Sequence, residues 1–101
     1  MKKGYFVAKV DVTDPEGYAQ YLKAGAGLVD AAGGRKLVVP HRRHELVEGD
    51  WDPERFVVIE FPSYEALRKW YFSDAYTAAR QHRIRSSESW VMLVEGAEDS
   101  D

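Results

Sequence analysis

Two short segments, Thr13-Asp14-Pro15-Glu16 and Pro62-Ser63, each separate one hydrophobic periodicity from another. Before the first, Phe6, Ala8, Val10 and Val12 alternate with Tyr5, Val7, Lys9 and Asp11, the period of two that marks a strand. After it, Tyr18, Tyr21, Leu22, Gly25, Leu28, Val29 and Ala32 recur at three- and four-residue spacing, which predicts one long helix ending at Gly33-Gly34. Thr13 or Asp14 can cap that helix, Pro15 fits its first turn, and Glu16 suits the positive end of its dipole. Before the second segment, Val57, Ile59 and Phe61 alternate with Phe56, Val58 and Glu60 in a strand from Arg55 to Phe61. After it, Leu67, Trp70 and Tyr71 make a buried helical stripe. Ser73-Asp74 supplies a fresh cap for a restarted piece carrying Tyr76, Ala79 and Arg80.

Between these blocks Arg35 to Val39 reads as a strand. Glu45 to Glu48 reads as its continuation after a break at Pro40-His41-Arg42-Arg43, since proline within a strand run points to an edge or a bulge. Gly49 to Pro53 is turn chemistry, and Trp90 to Glu95 is the last strand. The order is β-α-β-β-α-β. Right-handed crossovers and a central hairpin then predict an α+β, ferredoxin-like protomer: a four-stranded antiparallel sheet with two helices on one face. Tyr5, Val7, Phe56 and Val58 are left on the uncovered face. Such an apolar patch marks an interface, and a two-fold axis packing two sheets face to face would cover it. The expectation is a homodimer through the helix-free sheet face, a dimeric α/β barrel. Residues 1–96 form one domain on this reading, and 97–101 are a frayed acidic tail.

Of 101 residues, 14 are Lys or Arg and 17 Asp or Glu, a net charge of -3 that argues against coating nucleic acid or an anionic membrane. No apolar run approaches the roughly 20 residues of a membrane span. Met1-Lys2-Lys3 leads into a strand without a signal-peptide core. Cysteine is absent, which removes disulfides, thiolate metal sites and a cysteine nucleophile. The expected location is the cytoplasm. No Ser-His-Asp order, phosphate loop or dinucleotide fingerprint is present, and no cofactor is expected.

Val12 to Glu16 with Tyr18 and Tyr21, Gly33-Gly34-Arg35, Glu48-Gly49-Asp50-Trp51, Ile59 to Ala66, and Trp70-Tyr71 followed by Ser73 to Tyr76 resemble the domain-of-unknown-function 1330 family. That family belongs to the dimeric α/β-barrel superfamily. The resemblance runs from about Gly4 to Gly96 and is most specific from Glu60 to Ala66. It implies a ferredoxin-like protomer and a face-to-face dimer. It implies little chemistry: relatives in the superfamily include cofactor-independent monooxygenases, muconolactone isomerases and haem-binding enzymes, and fold kinship does not transfer those functions. Where the family often has a glycine-containing turn, this chain has Pro40-His41-Arg42-Arg43-His44, close to where a cavity mouth would form.

Glu60 is the candidate catalytic group, a carboxylate in an otherwise apolar strand beside the register of Lys9. Desolvation could tune it as a general base; an ion pair at the dimer interface is the plainer reading and is preferred. Arg35 and Arg55, near Glu48 and Glu60, could clamp a substrate carboxylate or simply bridge the sheet. Tyr18, Tyr21, Trp70, Tyr71 and Tyr76 are core residues or, because a tyrosine hydroxyl needs a partner, walls of a pocket for an aromatic ligand. His41 is a ligand-binding candidate at the mouth. His41 and His44, separated by two arginines, are a poor metal site. The basic runs His41 to His44 and Arg80 to Arg85 are read as solvated faces, and no nucleic-acid partner is expected. The leading reading is a homodimeric small-molecule-binding protein or cofactor-independent enzyme, monooxygenase- or isomerase-like, with a small aromatic or anionic ligand. The alternative is a non-catalytic dimerisation or interaction module.

Overall fold

In the computed structural model, which describes residues 2–98, the elements run β1 (Gly4–Val12), α1 (Pro15–Gly25), α2 (Leu28–Ala31), β2 (Arg35–Val38), β3 (Arg55–Phe61), α3 (Tyr64–Tyr71), α4 (Asp74–Ser86) and β4 (Ser87–Glu95). The strands form one antiparallel sheet in the order β2-β3-β1-β4. That is the ferredoxin-like arrangement, with the first expected helix divided in two and the second broken at Ser73 as its cap suggested. The last residues of the predicted tail, 99–101, lie outside the described residues.

Register assigns each side chain to a face. Gly4 pairs with Phe61, Phe6 with Ile59, Ala8 with Val57 and Val10 with Arg55; on the other side Phe6 meets Leu93, Ala8 meets Val91 and Val10 meets Ser89. These residues face the helices. Phe6, Ala8, Val10, Ile59 and Phe61 are buried there with Tyr18, Leu67, Trp70, Tyr76 and Ala79. The rings are tightly grouped: Trp70 lies 4.1 Å from Tyr76 and 4.9 Å from Phe61 between centroids. Gly4 is required where β1 passes under the start of α3. A Cβ there would stand 2.7 Å from the Ser63 carbonyl oxygen and 2.9 Å from the Tyr64 Cα.

The caps follow the sequence signals in part. Ser63 Oγ accepts from the Ala66 amide at 3.0 Å, and Ser73 Oγ accepts from the Tyr76 amide at 3.2 Å. Asp14 occupies the N-cap of α1 without a side-chain bond. The single long helix predicted from Tyr18 to Ala32 is not formed. Gly27, at φ +79°, turns the chain between α1 and α2, a conformation that favours glycine. The continuation strand predicted at Glu45–Glu48 is also absent. This stretch has no partner in the sheet, and Leu46 and Val47 remain exposed. The long connection between β2 and β3 is instead pinned through Asp11, whose carboxylate accepts from Trp51 Nε1 and from the Glu54 amide, each at 2.7 Å.

α4 passes into β4 with no intervening residue. The Ser86 carbonyl at that junction accepts from the amides of Thr13 and Asp14, tying the end of α4 to the entry of α1. Among the described residues, no helix is long and apolar enough to cross a membrane.

Candidate functional site

Val10, Arg55 and Ser89 form one row across β3, β1 and β4 on the helix-facing side. The next two rows are apolar. Over them α1 stands away from the sheet and leaves a cavity of about 310 Å3. Its floor is Phe6, Ala8, Val10, Val57 and Ile59; Tyr18, Tyr21 and Leu22 form the α1 wall; Trp70, Tyr76 and Arg83 form the opposite wall. Asp30, Lys36, Pro40 and Arg55 lie toward the rim. A more open depression of about 300 Å3 adjoins it and shares Tyr18, Leu22 and Arg55.

The polar groups converge on the Val10 end. The Tyr21 and Tyr76 hydroxyls share a hydrogen bond of 2.8 Å. Burial raises the pKa of both phenols, with each acting on the other. Tyr18 is also raised by burial, partly offset by the Arg55 guanidinium 5.1 Å from its ring. All three phenols are therefore protonated at neutral pH.

Arg83 is 3% exposed. Its Nη1 donates to Ser89 Oγ at 2.6 Å and its guanidinium lies 5.8 Å from the Tyr21 ring. Burial opposes its charge, but interaction with Tyr76, Tyr21 and Tyr71 leaves its pKa raised above the ordinary arginine value. The last turn of α4 also favours a cation. Arg83 takes part in neither of the ion pairs Lys2–Glu95 and His44–Asp52.

Five of the residues read as ligand-binding from sequence, Tyr18, Tyr21, Arg55, Trp70 and Tyr76, line this cavity. Tyr71 stands behind it, stacked under the Arg80 guanidinium at 4.4 Å and accepting from Arg80 through its carbonyl. His41 lies on an exposed turn, its Nε2 3.5 Å from Arg55 Nη1, with φ at +71°. Arg35 and Glu60 lie together on the opposite sheet face. There Tyr5 donates to Glu60 at 3.0 Å, and this bond is the first cause of a raised Tyr5 pKa.

Lys9 is not beside Glu60, as the sequence suggested. The register puts Tyr5 there, and Lys9 sits opposite Phe56 and Trp90, its Nζ 5.3 Å from the Trp90 ring and 5.9 Å from that of Trp51. With Glu45–Glu48 unpaired, no ladder brings Glu48 to Arg35 or Arg55. The residue that sequence reading missed is Arg83. Its signal was the 3-4-3 spacing of Tyr76, Ala79, Arg83 and Ser86, the four buried residues of α4.

An α+β sandwich of this order, with a cavity between sheet and helices, defines the class: a ferredoxin-like fold. Residues 3–97 match the family model "Domain of unknown function (DUF1330)", and the chain belongs to that family. A protein of unknown function from Rhodopseudomonas palustris superposes with a TM-score of 0.74 at 16% identity, over 95% of this chain and 83% of that one. The cofactor-independent oxygenase SnoaB from Streptomyces nogalater superposes with a TM-score of 0.55 at 17% identity, over 97% and 96%. A structure described as an antibiotic biosynthesis monooxygenase gives 0.51 at 22%, over 97% and 100%. At these identities the likeness is one of fold. No protein of curated function gave a significant match.

Proposed function

We propose that the protein binds a small, flat, largely apolar organic molecule in the cavity between α1 and the sheet, and does so as a homodimer. The observation that carries this reading is the cavity itself. At about 310 Å3 it falls at the lower end of the range for small-molecule sites, and it combines aromatic and aliphatic walls with a few converging polar groups. A cavity of roughly 150 Å3 can hold one benzene ring, so this one suits a bicyclic ligand. Chemistry without a cofactor would take place here, since the fold is shared with a cofactor-independent oxygenase, although shared fold does not assign a reaction. Glu60 stands on the other side of the sheet and has no route to such a ligand within one protomer; its place is at the dimer face with Tyr5 and Arg35. That face carries exposed Trp90, Met92 and Val94 beside Val7 and Val58, an apolar surface that a second copy would cover. The lack of cysteine fits a reducing cytoplasm.

The test is a titration of 15N-labelled protein with 2-naphthol. The indole N–H of Trp70 and the amides of Ala8 and Val57 should shift together. The reading fails if these signals stay fixed while shifts appear only on the outer sheet face, or if nothing moves.

A further inference from the structure

Three buried side-chain nitrogens have no hydrogen-bond partner among the described residues: Arg55 Nε, Trp70 Nε1 and Arg83 Nε. All three are donors, and all three belong to residues that line the same cavity. Buried polar groups in folded proteins are nearly always paired, so a cluster of orphans of one sign needs an explanation. Charge makes the imbalance sharper. Arg55 and Arg83 both serve the Val10 end of the cavity, the first as a neighbour of Val10 in the sheet and the second through Ser89, its neighbour on the other side. Among the lining residues the single acid is Asp30, exposed on the rim with Lys36. The interior therefore holds guanidinium groups and protonated phenols without a carboxylate.

We infer that the cavity is built for a planar aromatic carboxylate, whose anionic head lies at the Val10 end against Arg83 and the Tyr21–Tyr76 hydroxyl pair while its ring system rests among Trp70, Tyr18 and the floor of the sheet. A guanidinium whose Nη1 is held by Ser89 is fixed in orientation, and its unpartnered Nε–H is left for an incoming carboxylate. The phenols, protonated at neutral pH, can donate to the same head. Arg83 is the specificity-determining residue, and Arg55 attracts the anion at the mouth. This inference rests on the reading of the cavity as a binding site.

The experiment compares 2-naphthoate with its neutral isostere naphthalene-2-carboxamide, followed by the Trp70 indole signal and by calorimetry. The carboxylate should bind at least about tenfold more tightly to the unmodified protein. Arg83→Met should remove that preference while retaining carboxamide binding. Because Arg83 has no acidic ion-pair partner among the described residues to strand, the thermal midpoint of the ligand-free variant should be unchanged or raised. If Arg83→Met does not fold, Arg83→Gln keeps a donor toward Ser89, removes the charge, and is read in the same way. Equal binding of carboxylate and carboxamide overturns the inference and leaves the pocket standing. A preference that survives in the variant also overturns it. Failure of both compounds to bind sinks the inference and the pocket together.

Discussion

The hydroxyl pair in the cavity can be tested without any ligand, by a double-mutant cycle. Tyr76 is 2% exposed, and its oxygen lies 2.8 Å from that of Tyr21. Removing one partner of a buried hydrogen bond costs about 1–3 kcal/mol when the remaining group is left unsatisfied, but far less when both are removed. Tyr21→Phe strands the deeper hydroxyl and should cost about 2 kcal/mol. Tyr76→Phe strands the oxygen nearer α1, where cavity water can reach it, and should cost about 1 kcal/mol. The double variant loses two oxygens that needed each other, so it should cost about 1 kcal/mol rather than the sum of about 3. For a chain of this length 1 kcal/mol corresponds to roughly 4–8 °C in Tm. The assay is urea unfolding, monitored by circular dichroism at one fixed protein concentration, since assembly would otherwise shift the midpoint. Additivity of the two single costs within about 0.3 kcal/mol would refute the pairing, and with it the account of how the hydroxyls are held.

Alkaline pH probes the same phenols. Tyr18, Tyr21 and Tyr76 have folded pKa values raised above 10.0, so the unfolded chain releases these protons first; stability is intact below about pH 10 and falls above it by up to about 1.4 kcal/mol per pH unit for each tyrosine. Urea midpoints that stay level from about pH 8 to 11 would contradict the burial of these groups. Gly4→Ala forces a Cβ against the backbone of Ser63 and Tyr64 and should destabilise by about 1–3 kcal/mol, seen as a lower unfolding midpoint; an unchanged midpoint would mean that α3 starts farther from β1. His41→Gly relieves a left-handed backbone and should stabilise by up to about 1 kcal/mol in the same assay, whereas a loss would show that the His41 side chain holds the turn. Met92→Glu places a charge in the middle of the exposed sheet face; if the protein is the proposed homodimer, sedimentation should show a shift from dimer to monomer with the fold intact, and a dimer that persists in the variant would locate the interface elsewhere.

Much of the architecture was written in alternation and punctuation. Phe6 to Val12 and Val57 to Phe61 have a period that only a strand can use, and Pro15, Ser63 and Ser73 sit where helices begin. Two elements were misread for a shared reason. A helical stripe across Gly25-Ala26-Gly27 and an apolar run at Leu46-Val47 describe local preference, but whether the chain continues is decided by tertiary partners. Gly27 turned the chain so that Leu28 and Val29 could pack on the core from a separate helix, and Leu46 and Val47 found no strand beside them. The lining of the cavity was legible in its aromatic rings and in Arg55. Arg83 was hidden because a lone arginine among Arg80, His82 and Arg85 reads as solvated charge; only the helical phase of its neighbours turns it inward. Glu60 was conspicuous in sequence because a carboxylate interrupts an apolar strand, and the same period of two already put it on the side away from Val57 and Ile59.

The direct passage from α4 into β4 also sets how the two sides of the sheet can communicate. Ser89 takes the hydrogen bond from Arg83, and the next residue, Trp90, faces outward beside Lys9. With no loop to absorb motion, a shift of α4 along its axis carries Arg83, Ser89 and the outward row of Trp90, Met92 and Val94 together. On the proposed function, occupancy of the interior and association of the outer face would draw on one mechanical element. Thermodynamic linkage makes any such effect reciprocal: whatever factor a second copy adds to the affinity for a guest, the guest returns to the affinity for the second copy.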